Sequence, residues 1–345
     1  MSESIQAIPP FVDSPATLLH RRAARPTPRE WKKHTVLFLL TVVTTMLAGI
    51  WLVSQNNIGE PAMLEPSSPL GYILYIPAYY FKSVGLLIQN AFAHPWILAE
   101  GAMFSGSLLA ILTAHESGHY IACRRYGVDA TLPFFIPAPP LFLAGTFGAF
   151  IKIKSPIPTK RALFDIGVAG PLAGFMVALP IALIGILTLQ PLQPAPPGAD
   201  YGIVFNDPLL FRLFARLCGV NLENTQTNPF YFAAWIGLLV TSLNLMPVGQ
   251  LDGGHATFAL FGKSLHRWLG RAAFLLMATL AVLGWLWYSS PSGFLYAALL
   301  GVMLRIKHPQ VEDASVHMDR PRAIVAIITL VVFILSFLPF PIKIV

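Results

Sequence analysis

The sequence predicts an all-α polytopic membrane protein with about six transmembrane helices and a re-entrant membrane loop or hairpin. Three observations carry that prediction. Hydrophobic residues make up 55% of the 345-residue chain and charged ones only 11%, against roughly 25% charged in soluble domains. The apolar residues gather in stretches of about 20, the length a helix needs to cross a bilayer. Of the 23 basic residues, all but Lys82, Arg212, Arg216 and Lys343 fall in segments that one topology puts on the same face, which is the bias of cytoplasmic loops.

The formal net charge of +7 therefore orients the chain in a bilayer, its first expected partner. No basic patch is interleaved with exposed aromatics, so nucleic acid is not expected as a partner. Two cysteines, Cys123 and Cys218, placed on opposite sides of the membrane, exclude a disulfide framework.

Taken in order, residues 1–34 read as a basic cytoplasmic tail ending in Arg29, Lys32 and Lys33. Residues 35–53 are apolar and uncharged, a first span running from inside to outside. Residues 54–95 open with Asn56, Asn57 and Glu60 and read as an outside segment. Their aromatic part, Tyr72 to Phe92, lies at or dips into the interface, and Lys82 argues against a full crossing. Residues 97–122 form the next span, running inward to Arg124 and Arg125.

Residues 131–151 are hydrophobic but carry Pro133, Pro137, Pro139, Pro140, Gly145 and Gly148, so they cannot form a regular helix. Both ends look cytoplasmic, which fits a re-entrant loop or short hairpin; a loop lying on the surface is the alternative. Residues 162–189 form another span, with Gly170 and Gly174 spaced to let two helices approach. Residues 190–228 make the longest outside loop, with an amphipathic piece from Leu209 to Leu217 suited to covering the interface. Residues 229–248 return inward, 269–288 and 293–304 form a helical pair, 305–322 a charged loop and 323–340 the last span. The expected divisions are 1–34 (tail), 35–95 (first helix and outside segment), 96–268 (core) and 269–345 (C-terminal helices).

The chemistry concentrates at His115-Glu116-Ser117-Gly118-His119, inside the 97–122 span. Residues four apart share one face of a helix, so His115 and His119 can bind one metal ion, and Glu116 can take a proton from the attacking water. The plain alternative is a pair of hydrogen-bonded core histidines, but ionisable groups at membrane depth are costly and point to function. A catalytic zinc site usually has three protein ligands. The best third candidate is Asp252, which follows a proline-broken helix end on the same face and is flanked by Gly253 and Gly254. Its other reading is a helix cap or turn residue at the membrane surface. His255, three residues on, reads as a residue of the cytoplasmic rim.

These two motifs, His115-Glu116-x-x-His119 and Asn244-x-x-Pro247-x-x-x-Leu251-Asp252-Gly253, each in an apolar setting, resemble the site-2 protease family of intramembrane zinc metalloproteases. The resemblance covers about residues 97–262 and looks closest to members without a PDZ domain, on Gly145–Lys154, Gly170-Pro171-Leu-Ala-Gly174 and Lys307-His308-Pro309. It implies His115, His119 and Asp252 as zinc ligands, Glu116 as the catalytic glutamate and Asn244 as an amide beside the reacting carbonyl. It also implies that Gly145, Thr146, Phe147 and Gly148 belong to a membrane-embedded loop that pairs with an unwound substrate.

The expected function is hydrolysis of peptide bonds in or near the spans of single-span membrane proteins, in a cell's inner (cytoplasmic) membrane with the site toward the cytoplasm. Two other readings stay open at this point. One is a membrane-anchored zincin that cuts soluble peptides; the other is a non-catalytic scaffold or metal-binding protein, which would not need Glu116.

Overall fold

The computed structural model describes residues 23–54, 61, 63–191, 203–223, 225–306, 311–313, 315 and 318–344. Most of the expected tail, Asn56, Asn57 and Glu60, and Lys307-His308-Pro309 lie outside them. The fold is mostly helical, and four helices are long and apolar enough to cross a membrane.

The chain begins with α1 (Pro28–Ser54) and α2 (Tyr72–Ala93), followed by α3 (Pro95–Arg125), which carries the histidine motif. The aromatic segment expected at the interface forms a helix sustained across Pro77 by Tyr, Ile, Leu and Ala; only Leu87 and Ala91 of it are buried. Pro95 opens α3 at a position where no backbone donor is needed, and the helix ends on Arg124 and Arg125 before Gly127 turns the chain at φ +67°.

The proline-rich stretch forms an antiparallel hairpin, β1 (Phe134–Pro137) with β2 (Thr146–Phe150), bulged between Phe135 and Pro137. Its turn leans on two helices. Gly145, at φ +66°, seats against the Thr44 and Thr45 backbone of α1, and the Tyr80 hydroxyl of α2 donates to the Pro140 carbonyl at 2.8 Å.

After β3 (Ile157–Thr159), Thr159 caps α4 (Lys160–Leu187) by accepting from the Ala162 amide. Then come β4 (Gln190–Pro191), β5 (Ile203–Phe205), the amphipathic α5 (Leu209–Cys218) and β6 (Thr225–Gln226). Asn228 caps α6 (Pro229–Asn244), which is buried on nearly all sides, Tyr231 to Leu238 included, as a helix apolar all round should be. It forms the centre of the main core with Phe104 and Ile111 of α3, Phe175 and Ile186 of α4, and Phe211 of α5.

The chain continues with α7 (Asp252–Tyr288), α8 (Ser292–Met303), β7 (Val311–Asp313), α9 (Arg320–Ser336) and β8 (Ile342–Ile344). Residues 256–268 are helical, and the expected division at 268/269 falls inside α7. The C-terminal part is woven into the rest: β7 pairs with β3 in parallel, and β8 pairs with β5 antiparallel. At the basic face Arg322 of α9 donates to Asp165 of α4 and, at 3.0 Å, to the Tyr126 hydroxyl just beyond α3. Burial, with the Asp165 carboxylate beside it, raises the Tyr126 hydroxyl above its usual pKa. Cys123 and Cys218 are both free thiols.

One break in α7 reshapes the end of the core. A straight helix of its 37 residues would run about 55 Å, far beyond the roughly 30 Å hydrocarbon layer. Gly262 takes φ +76° and ψ 178°, and the chain folds back there. The Thr257 hydroxyl and the His266 ring hydrogen-bond at 3.0 Å, although nine residues of straight helix would hold them about 13.5 Å apart.

Candidate metal centre

His115, Glu116 and His119 are buried on the face of α3 that meets α4, α6 and the start of α7. The two Nε2 atoms stand 3.1 Å apart. Asp252, the first residue of α7, places Oδ2 3.3 Å from His115 Nε2 and 3.2 Å from His119 Nε2. Among the described residues, these three form the group able to hold a metal ion. Leu251, not Asp252, occupies the helix-cap position, which leaves the Asp252 carboxylate to face the histidines.

The triangle passes a geometric test for zinc. Ligand atoms about 2.0–2.1 Å from a tetrahedral ion stand about 3.3 Å from one another, close to the three spacings observed. The donor chemistry agrees. His119 Nδ1 lies 2.7 Å from the Ile166 carbonyl, which can only accept, so the ring donates there and turns the lone pair of Nε2 toward the triangle. Nitrogen lone pairs and a carboxylate oxygen converging on one point repel each other unless a cation lies among them.

Neighbouring backbone makes room for these side chains. A Cβ on Gly170 of α4 would overlap the His119 ring, and one on Gly174 would sit 3.1 Å from His115 Cβ. The spacing of these glycines marked a close helix approach in the sequence; what approaches is the ligand pair itself. The Ile166 carbonyl was missed, since a backbone acceptor leaves no residue-type signal. Gly253 lets the first turn of α7 press against the Leu245 carbonyl at the end of α6, which holds Asp252 at the depth of the motif.

Glu116 Oε1 lies 4.0 Å from His115 Nε2, and the Ile151 backbone just past β2 neighbours its carboxylate. The Asn244 side-chain amide, at the end of α6, is 3.3 Å from His115 Nε2. The hairpin residues sit to one side. Thr146 is buried and donates to the Ile136 carbonyl at 2.8 Å, Phe147 is exposed and packs against Phe142, and Gly148 turns at φ +105°. His255 is not part of the donor triangle; its Cβ faces Gly167.

A family model described as Peptidase family M50 matches residues 103–285, just over half the chain, and takes in every residue of the triangle. The chain is 37% identical over 186 residues to the probable chloroplastic zinc metalloprotease EGY1 of Oryza sativa subsp. japonica, covering 51% of this chain and 31% of that one. It is 30% identical over 264 residues to the probable chloroplastic zinc metalloprotease EGY2 of Arabidopsis thaliana, covering 74% and 44%. The matched regions thus span less than half the length of these relatives. No solved structure matches.

Proposed function

The chain belongs to peptidase family M50, the site-2 protease group of zinc metallopeptidases, and from that premise we propose that it hydrolyses peptide bonds within the membrane spans of other, single-span membrane proteins. The observation that carries the reading is the meeting of three ligand-type atoms and one free carboxylate inside membrane-length helices. His115 and His119 come from α3, Asp252 comes from α7, and Glu116 stands beside them.

His115, His119 and Asp252 would hold zinc through Nε2, Nε2 and Oδ2. Zinc supplies Lewis acidity there, polarising the scissile carbonyl and making water nucleophilic near neutral pH. Glu116, buried beside the donor triangle, accepts a proton from the attacking water and returns it to the leaving amine nitrogen. The Asn244 amide donates to the carbonyl oxygen as charge develops on it. The strand edge of β2, around Gly145, Thr146, Phe147 and Gly148, offers backbone partners to a substrate segment that must leave its helix to be cut.

In this reading residues 96–268 are the catalytic core, with 35–95 and 269–345 as flanking spans and 1–34 as the basic tail. The shorter apolar helices α6 and α8 add to the four long ones toward the expected set of about six. The site opens toward the basic face. The named relatives are chloroplastic, so they lend no support to a cell's inner membrane as its location.

The test is to map new peptide termini in membranes carrying the wild type or Glu116→Gln. Termini within hydrophobic spans that accumulate only with the wild type are expected. Wild-type-dependent termini confined to soluble loops would instead mark a membrane-anchored zincin.

A further inference from the structure

We propose that the tip of the α7 reversal, residues 261–271, is a docking site for the phosphate headgroups of anionic phospholipids. The reversal at Gly262 turns two kinds of side chain outward together. Phe261, Leu265 and Trp268 are exposed, at 53%, 46% and 65%, unusual values for large apolar groups in water but ordinary ones at the boundary of headgroups and acyl chains. Lys263, Arg267 and Arg271 are exposed among them, a basic cluster interleaved with aromatics that corrects the expectation of none.

The polar residue of this segment that points inward is His266, buried against Thr257 and Phe258. The basic side chains are not so engaged. Among the described residues none of the three forms an ion pair with a carboxylate. The sequence supplies no acid to them either, since no Asp or Glu lies between Asp252 and Glu312. Arg271 stacks over Trp268 at 5.6 Å, which holds a cation at the level where an interfacial tryptophan sits. Leu304 packs against Gly270, and this brings Arg305, also exposed, to the same end of the hairpin.

An uncompensated cluster of cations beside membrane-inserting aromatics complements phosphate-bearing lipid, and each cation near such a surface favours association by roughly fivefold. The occupant is the anionic leaflet beside the protein, not a soluble phosphate, because the apolar half of the patch needs acyl chains to cover it. The inference stands apart from the protease reading, since it uses no residue of the metal centre. It has one structural consequence there: the lipid-facing limb of α7 is bonded through His266 to the limb that begins at Asp252.

The experiment places the full chain in phosphatidylcholine vesicles doped equally with brominated phosphatidylglycerol or brominated phosphatidylcholine. It reads the tryptophan quenching that disappears in Trp268→Phe. The expected result is an excess of quenching by the anionic lipid of at least about fivefold in local enrichment. That excess should fall as salt is added. It should be lost in Lys263→Gln/Arg267→Gln/Arg271→Gln and retained in Lys152→Gln/Arg320→Gln, which removes exposed cations elsewhere on the basic face. Matched size-exclusion profiles establish that the triple variant is folded. Equal quenching by both lipids, or an anionic excess that survives the triple substitution, would overturn the proposal.

Discussion

Asp252 Oδ2 lies 3.2 Å from His119 Nε2, although the two residues stand on different helices and in different motifs. Zinc bridging them should therefore stabilise the fold, because ligands from α3 and α7 come together only in the native state. Free zinc at a hundred times its Kd should add about 2.7 kcal/mol of stability. A rise in the melting temperature of chelator-treated protein on adding zinc checks this. His115→Ala should abolish the rise.

Glu116 is placed to move a proton and not to bind the metal. Glu116→Gln should keep zinc and the fold while cleavage falls by about 10²–10⁴-fold, the usual range for loss of a general base. Product formation by mass spectrometry, alongside metal content, separates the two roles. Retained cleavage would remove Glu116 from the mechanism.

Gly170 is the tightest point of the α3–α4 contact, since any Cβ there overlaps the His119 ring. Gly170→Ala should cost about 1–3 kcal/mol as an overpacked site and displace His119, lowering zinc affinity as well. Gly174→Ala comes no nearer than 3.1 Å to His115 Cβ, with His115 Nδ1 at 3.4 Å and the Ile111 carbonyl at 3.5 Å, and should be milder. Thermal melts with and without zinc distinguish the variants.

Arg322 joins α9 to the core through Asp165 and Tyr126, and also bonds Asp319 at the cap of its own helix. Its side chain is 19% exposed, so these bonds are only partly screened by solvent. Arg322→Ala should cost about 1.5–3 kcal/mol, as expected for hydrogen bonds to charged groups. A double-mutant cycle with Asp165→Asn should show that most of the loss is shared between the pair.

The histidine motif was legible because residues four apart must share a helix face, and this needs no knowledge of tertiary structure. Asp252 was legible as an acid beside a broken helix on the same side of the membrane. The hairpin was half legible: its prolines forbade a helix, but they did not fix which residues pair. The reversal at Gly262 was hidden, because glycine adopts positive and negative φ alike and the basic residues after it suit a loop equally well. The pairs β3 with β7 and β5 with β8 were hidden too. Strands of three residues are too short to show alternation, and their partners lie far along the chain.

The central claim is that two distant motifs form one zinc site, and metal content tests it most directly. Zinc per chain should be measured in detergent-solubilised wild type, Asp252→Ala and Glu116→Gln. About one zinc is predicted in the wild type and in Glu116→Gln. In Asp252→Ala affinity should fall by more than the 10–100-fold that outer partners of a metal site typically contribute. Undiminished zinc in Asp252→Ala would contradict the account, because α7 would then contribute nothing to the metal and the triangle would not be a single site.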